Sequence, residues 1–365
     1  MSGTDLARHV HSKCIRCGLC AESCAFLQKY GFPGEVAESV LNNISRTDPF
    51  ECSLCRLCAV VCPEEIDPGE LFLAMRMEAV SRNPRKLSPY KRILAYESIG
   101  GSALFSWYGL PRDCRAVFFP GCAISGTRPK STWWIFQALK TSLSSPGIVL
   151  DCCCKPSHDL GNMSRFKKRV ERIQDHLLAN RVEEIVLACP SCYAVFEAHV
   201  DKLSVKMAWE YLSPGRYPCS GLKKGSAVRL HDPCTTRFFP EIHAQVRNLI
   251  TGLGLELREL AHNSRQTLCC GEGGAVSFIN KDMASKWTQT IKEEAGKDQV
   301  VTYCAGCAGF LAQSGINTVH LADLLDDPVR ALSGRIQAAR LPWTYWNRLW
   351  LKARCALTIS AARDY

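Results

Sequence analysis

The feature that most constrains this chain is its set of 22 cysteines, which fall in tight runs separated by long stretches without cysteine. A secreted scaffold held by disulfides is usually short, with its cysteines spread evenly. Thiols two or three residues apart are instead well placed to bind one metal centre and badly placed to crosslink distant segments. The pattern therefore predicts reduced thiols that bind metal.

The 365 residues are enough for two or three domains with cores of their own. The first 13 residues have no apolar segment of the signal-peptide type, and no window of 18 apolar residues would span a membrane. We therefore predict a cytoplasmic protein, with a peripheral location at the inner face of the membrane left open.

Two runs of four cysteines lie in the first 80 residues, each with the spacing Cys-x2-Cys-x2-Cys-x3-Cys, and Pro63 follows the second run. Soft thiolates suit iron–sulfur clusters, and four of them complete the coordination of one cluster. With this spacing the fourth cysteine of each run ligates the other cluster. We assign one 4Fe–4S cubane cluster to Cys14, Cys17, Cys20 and Cys62. We assign the second to Cys52, Cys55, Cys58 and Cys24.

A pair of structural zinc sites is the alternative, but two complete runs of this kind are a poor match to the paired knuckles that zinc prefers. Two features depart from a compact bacterial ferredoxin: Cys24 is followed by Ala25 instead of proline, and the longer interval between the runs contains a helical pattern over 36–45. Residues 8–80 resemble the helical ferredoxin module attached to many respiratory iron–sulfur subunits. The resemblance implies a helical two-cluster domain over 1–80.

Residues 81–114 are rich in Pro, Arg, Lys, Gly and Tyr, and they are predicted to be a linker that wraps onto the next domain. Beyond them, short apolar strands that each lead to a cysteine alternate with amphipathic helical stretches. The predicted strands are 116–119, 148–150, 185–188, 228–230, 267–268 and 300–303. Equivalent cysteines are 112 to 117 residues apart, which indicates a duplication. We predict two α/β units with mostly parallel sheets, over 115–218 and 219–330, with the cysteines at the carboxyl ends of the strands.

Each unit offers one cysteine, then an adjacent pair, then Cys-x2-Cys. The first set is Cys122, Cys152, Cys153, Cys189 and Cys192. The second set is Cys234, Cys269, Cys270, Cys304 and Cys307. Five thiolates are one more than a cubane needs, so either one cysteine is spare or the cluster is not a plain cube. Two alternatives remain: the cysteines are buried free thiols, or only one unit holds a cluster.

The motifs around these cysteines resemble the cysteine-rich (CCG) domain of heterodisulfide reductase. They are Pro120-Gly121-Cys122, Cys152-Cys153-Cys154-Lys155-Pro156, Cys189-Pro190-Ser191-Cys192, Asp232-Pro233-Cys234, Cys269-Cys270-Gly271-Glu272-Gly273-Gly274 and Cys304-Ala305-Gly306-Cys307. The resemblance implies one or two non-cubane 4Fe–4S clusters. Relatives with the same ferredoxin head include iron–sulfur subunits of anaerobic glycerol-3-phosphate, glycolate and lactate oxidation systems. Cys154 stands where the family has glycine, so the pairs Cys152/Cys153 and Cys153/Cys154 both stay open.

His231, His158 and Glu272 lie near these cysteines and are candidates for proton transfer or metal binding. A histidine beside a cluster more often makes hydrogen bonds to the ligands, and we favour that role.

The segment 331–365 is a basic, tryptophan-rich tail in which Trp343, Trp346 and Trp350 form one helical stripe. Such a helix can lie in a membrane interface, close to a quinone-linked partner. Core stripes are commoner than membrane anchors, so we expect the tryptophans to pack on their own domain.

These observations favour an iron–sulfur electron-transfer subunit of a multi-subunit oxidoreductase, which passes electrons between a flavoprotein-type partner and another acceptor. No Gly-x-Gly-x-x-Gly motif follows a strand, so electrons are expected to arrive from elsewhere. The alternative is a heterodisulfide reductase-like enzyme that reduces a disulfide or thiol substrate. A regulator that binds nucleic acid is not expected, because the net charge of +10 is not gathered into a basic tract.

Overall fold

The computed structural model describes residues 2–213 and 225–359. Within them the chain is a mixed helix-and-sheet protein, with helices first and two largely parallel sheets after them. The predicted boundary between the duplicated units, at 218/219, and the last six residues lie outside the described residues.

The first 82 residues fold into short helices around the two cysteine runs. The helices are α1 (Gly3–Lys13), α2 (Leu19–Glu22), α3 (Ala25–Tyr30), α4 (Pro33–Leu41), α5 (Leu57–Val60) and α6 (Pro68–Arg82). Proline at the first position starts α4 and α6, where its missing N–H costs no hydrogen bond. The helix predicted over 36–45 therefore begins earlier and ends at Leu41. Phe26, Leu71 and Phe72 pack between the helices as the core of this head.

The segment predicted to be a linker contains regular structure. It holds a 3-10 helix (Pro84–Tyr90), the helix α7 (Lys91–Gly100) and the strand β1 (Trp107–Gly109). Strand β1 pairs antiparallel with the first sheet, so this segment wraps onto the next domain by joining its sheet. Proline and glycine in this stretch mark turns and helix ends here, not an unstructured connection.

The first sheet carries the first cysteine set. Its parallel strands are β2 (Ala116–Phe119), β3 (Gly147–Leu150), β4 (Glu184–Leu187) and β5 (Ser204–Met207), in the order β1-β3-β2-β4-β5. The helices around it are α8 (Cys122–Thr127), α9 (Pro129–Leu139), α10 (Lys155–Asp159), α11 (Met163–Ala179) and α12 (Pro190–His199). Strands β2 and β3 are buried at every residue because helices cover both faces of the sheet, which explains their continuous apolar sequence.

The second sheet repeats this arrangement. Its strands are β6 (Ala227–His231), β7 (Glu256–Glu259), β8 (Gln299–Thr302) and β9 (Thr318–His320), all parallel, in the order β7-β6-β8-β9. Its helices are α13 (Pro240–Gly252), α14 (Lys281–Ala295), α15 (Ala305–Gln313), α16 (Leu321–Asp326) and α17 (Pro328–Leu332). The order matches β3-β2-β4-β5 of the first sheet, as a duplication predicts. The prediction of mostly parallel sheets is confirmed.

The strand predicted over 267–268 is wrong. The strand at that place in the sheet is β7, whose last residue, Glu259, comes well before Cys269. Thr267 and Leu268 are buried, but the Thr267 hydroxyl donates to the Asp232 carbonyl, so they line a loop instead of pairing in the sheet. Residues buried in a loop can have the same sequence character as a short buried strand, which explains the wrong prediction.

The tail forms the helix α18 (Trp343–Thr358), and its tryptophans face outward. Trp343, Trp346 and Trp350 are 64%, 64% and 41% exposed, so the expectation that they pack on their own domain is wrong. The opposite side of α18 is buried through Arg348, which donates to the Gly100 carbonyl, and through Leu351. Within residues 2–213 and 225–359, no helix has the length and apolar character needed to cross a membrane.

Candidate iron–sulfur centres

The first four-cysteine set surrounds a small cavity in the helical head. The cysteines that line it are Cys14, Cys17, Cys20, Cys62 and, from the second set, Cys58. Cys17 is exposed, and Cys14 is the first residue after α1. A side chain at Gly34 would put its Cβ 3.2 Å from the Cys14 Sγ, so glycine there leaves the room that a bound group needs. The residues present fit a metal cluster.

The second set surrounds a small neighbouring cavity, further inside the protein. The cysteines that line it are Cys24, Cys52, Cys55, Cys58 and, from a loop of the second α/β unit, Cys269. The structure thus brings the fourth cysteine of each run beside the first three of the other run. Burial raises the pKa of Cys52 to about 12, so these thiols deprotonate only when a positive partner such as bound iron offsets the charge.

The cysteines of the first α/β unit converge at the carboxyl ends of its strands. The Sγ atoms of Cys122 and Cys152 are 3.8 Å apart, and those of Cys153 and Cys192 are 3.2 Å apart. The Cys192 thiol also contacts that of Cys189. These separations are much longer than a disulfide bond of about 2.05 Å, and none of the described cysteines is disulfide-bonded.

The cysteines of the second unit form one continuous chain of thiol contacts. Its order is Cys234, Cys269, Cys270, Cys307 and Cys304. A Cβ at Gly273 would lie 2.9 Å from the Cys269 Sγ, so this glycine also keeps space beside the sulfurs. Both five-cysteine sets therefore fit a thiolate-bound cluster.

The two sets face each other across one cavity of about 180 Å³ between the sheets. Every one of the ten cysteines except Cys269 lines it. Cys269 points instead toward the second cavity of the head. The four sets are thus contiguous, from the exposed Cys17 to the cavity between the two units.

Cys154, the extra cysteine after the first pair, lies apart from this cavity. It adopts a left-handed backbone conformation (φ 55°) and contacts the Cys152 thiol. Its own side chain lines a different pocket with Arg165 and Arg169. The pair on the shared cavity is therefore Cys152 with Cys153.

Lys155 and Glu272 both line the shared cavity, although they are far apart in the sequence. Lys155 donates to both carboxylate oxygens of Asp159, at 2.7 and 2.8 Å. Glu272 lines the same cavity, and its removal from bulk water, with the thiols of Cys304 and Cys269 nearby, raises its pKa to about 8. The Lys-Pro and Gly-Glu-Gly patterns contain these residues but do not indicate that they share a cavity.

The two histidines differ in position. His231 is buried, with one ring nitrogen within 4.8 Å of the Cys270 and Cys307 sulfurs. Burial lowers its pKa to about 4, so its ring is neutral at pH 7. His158 is hydrogen-bonded to Asp159 and does not line the shared cavity.

Two buried arginines connect the cysteine loop of the head to the α/β units. No motif in the sequence had indicated a role for either of them. Arg76 donates only to backbone carbonyls, those of Pro49, Cys52, Asp159 and Gly274. Arg237 donates to the carbonyls of Cys55, Arg265 and Thr267. They leave two positive charges close to the second set of the head.

Two domain families match the chain. A 4Fe-4S dicluster domain matches residues 10–66, and a cysteine-rich domain matches residues 116–197 and again 228–312. The chain is an iron–sulfur protein with one 4Fe-4S dicluster domain and two cysteine-rich domains. It is similar to subunits of heterodisulfide reductase and of fumarate reductase (CoM/CoB).

The chain is similar to three proteins whose names state an activity. One subunit of the fumarate reductase (CoM/CoB) of Methanothermobacter marburgensis is 23% identical over 355 residues, covering 86% of this chain and 71% of that one. One subunit of the dihydromethanophenazine:CoB–CoM heterodisulfide reductase of Methanosarcina mazei is 21% identical, covering 79% and 83%. The EtfAB:quinone oxidoreductase of Syntrophomonas wolfei is 21% identical, covering 72% of this chain but only 43% of that longer protein.

Among solved structures, an aspartate racemase from Picrophilus torridus aligns with 65% of this chain and 99% of its own, at 12% identity. Its TM-score of 0.28 is too low to support an argument about fold or function.

Proposed function

We propose that this protein is an electron-transfer subunit of a multi-subunit oxidoreductase, which takes electrons from a flavoprotein-type partner and passes them to another acceptor. The observation that carries the proposal is the continuity of the four cysteine sets. Cys58 lines both cavities of the head, and Cys269 lines the second of them while its thiol contacts Cys234 and Cys270. One-electron transfer is the chemistry that bound iron–sulfur clusters supply.

The ligands belong to the same proposal. Two 4Fe–4S cubanes would be held in a helical head over 1–80, by Cys14, Cys17, Cys20 and Cys62 and by Cys24, Cys52, Cys55 and Cys58. Each five-cysteine set, in units over 115–218 and 219–330, would hold a further 4Fe–4S cluster of non-cubane form. The convergence of five thiols in each unit supports this assignment, because a cubane needs four.

A cytoplasmic, peripheral location and a quinone-linked acceptor complete the proposal. The exposed stripe of Trp343, Trp346 and Trp350 on α18 supports it, because tryptophan favours the membrane interface. Residues 328–363 contain seven arginines or lysines and no acidic residue, a charge that suits anionic lipid.

A second candidate function is reduction of a disulfide substrate, and the shared cavity is the observation that favours it. The cavity holds sulfurs from both units together with the carboxyl group of Glu272 and the amine of Lys155. A disulfide placed there would lie between the two sets, whose clusters would each supply one of the two electrons needed, beside groups that could donate protons to the two thiolates formed.

One experiment separates the two functions. Anaerobically loaded protein, reduced chemically, is mixed with dye acceptors and then with a small heterodisulfide. A relay oxidises once with the dye and does not turn over the disulfide. Sustained turnover that is lost in Cys304→Ser, whose side chain lines the shared cavity, and kept in Cys154→Ser, whose side chain lies outside it, would establish the enzyme instead.

A further inference from the structure

The two sheets differ in the side chains at the carboxyl ends of their strands, next to the cysteine sets. In the first sheet, the residues paired across β2, β4 and β5 are Phe119, Leu187 and Met207. In the second sheet, the residues paired across β6, β8 and β9 are His231, Thr302 and His320. All six are buried to within 1% of full burial. The duplication has kept an apolar row in one unit and a polar row in the other.

The two rows occupy equivalent places. Phe119 lies three residues before Cys122, and His231 lies three residues before Cys234. The strands that carry the rows have the same order in both sheets. Side chains paired across parallel strands stand on the same face, about 4.8 Å from their neighbours. The polar row is therefore a continuous strip under the second sheet's cysteines.

The polar row lacks partners for much of its hydrogen-bonding capacity. Among the described residues, no partner is present for either ring nitrogen of His231 or for the Thr302 hydroxyl. The His320 ring is better satisfied, because its Nδ1 accepts from the Ala322 N–H at 3.1 Å and the ring also interacts with the Tyr303 backbone. Buried polar groups are almost always hydrogen-bonded in native proteins, so a cluster of unpartnered atoms indicates a partner from outside the polypeptide.

The position of His231 identifies that partner. One of its ring nitrogens lies within 4.8 Å of the Cys270 and Cys307 sulfurs, two members of the second cysteine set. A neutral imidazole has one N–H donor and one acceptor nitrogen. Phe119, at the equivalent place in the first unit, has neither.

We propose that His231 donates its N–H to a sulfur of the centre held by the second cysteine set, and that it makes the two duplicated centres unequal in reduction potential. A hydrogen bond to a cluster sulfur stabilises the additional negative charge of the reduced state and therefore raises the potential. The second unit then holds an electron more strongly than its histidine-free counterpart would. The inference rests on the proposed function only in needing a centre in the second unit.

The test is an EPR-monitored redox titration of the anaerobically loaded full chain. It compares wild type with His231→Phe, which introduces the residue type found at position 119, the equivalent place in the first unit. The midpoint potential of one centre should fall, while those of the others stay unchanged. His231→Gln keeps an N–H donor and should retain most of the wild-type potential. Phe119→His, in the other unit, should raise the potential of a different centre.

A second measurement identifies the contact itself. With 15N-labelled histidine, pulsed EPR should detect a weak nitrogen coupling to the reduced centre that disappears in His231→Phe. A coupling as strong as that of an iron-bound imidazole would overturn the proposal, because His231 would then be a ligand.

Unchanged potentials in His231→Phe with its full iron content would overturn the inference alone, as would an equal fall in His231→Gln. If His231→Phe fails to assemble, Phe119→His decides, because an unchanged potential in that fully loaded variant would overturn the inference. Wild-type protein that holds no iron in its second unit would overturn both this inference and that part of the proposed function, and iron analysis distinguishes that case.

Discussion

Replacing Arg76 by methionine should loosen the joint between the head and both α/β units. Arg76 is fully buried on α6, and its donors reach carbonyls of the head (Pro49 and Cys52), the first unit (Asp159 at 2.7 Å) and the second unit (Gly274 at 3.0 Å). Methionine fills similar space but donates nothing. Four buried acceptors from three parts of the chain would lose a charged donor.

The size of the effect follows from two opposing terms. Hydrogen bonds from a charged donor contribute about 1.5–3 kcal/mol each, so four would suggest a gross loss of roughly 6–12 kcal/mol. Burying the guanidinium, which lowers its pKa, costs several kcal/mol that methionine does not incur. The net loss of unfolding free energy should be about 3–5 kcal/mol, the range typical of breaking a buried charged network.

The assay is anaerobic urea unfolding of loaded protein, followed by circular dichroism and by cluster absorbance. Arg82→Met is the matched control, because Arg82 is on the same helix with its side chain 75% exposed, in an ion pair with Glu78. That control should change stability by less than about 0.5 kcal/mol. Equal stability of the two variants would refute the reasoning.

Arg76→Met should also lower the potential of the cluster proposed for the second cysteine set of the head, because the reduced state loses a nearby positive charge. For unit charges about 7 Å apart at an effective dielectric constant of ~20, Coulomb's law gives about 2 kcal/mol, or on the order of 100 mV for one electron. An unchanged or raised potential would contradict this sign.

Three further outcomes are expected. Cys17→Ser should remove one cubane signal and about four irons while both cysteine-rich units stay folded; full iron content would contradict the ligand assignment. Gly306→Ala should lose at most about 1 kcal/mol of stability, because its Cβ would displace the Glu272 carboxylate, the end of a side chain that can move aside. Gly309→Ala, on the same helix with open space around it, should gain about 0.5–1 kcal/mol, and equal effects would count against the contact. Replacing Trp343, Trp346 and Trp350 together by serine should weaken binding to phosphatidylglycerol vesicles at least about tenfold. The control Phe278→Ser, at an exposed aromatic residue elsewhere, should leave binding unchanged. Wild-type protein that binds no vesicles would reject the proposed membrane face.

The residue spacing by itself determined the local chemistry. Cys-x2-Cys-x2-Cys-x3-Cys forces three thiols of a run around one small volume, whatever the rest of the chain does. The repeated strand–cysteine order likewise predicted two parallel sheets, because each unit must cover both faces of its apolar strands. These predictions depend on short segments whose geometry is fixed within a few residues.

Only the tertiary structure decided how the sets relate to one another. The contact of Cys269 with the head, the carbonyls gathered by Arg76 and the side on which the α18 tryptophans lie depend on how separate elements pack. The polar row of His231, Thr302 and His320 shows the reason most clearly. Its members are scattered over 90 residues and become neighbours only through the register of three parallel strands, which no local spacing encodes.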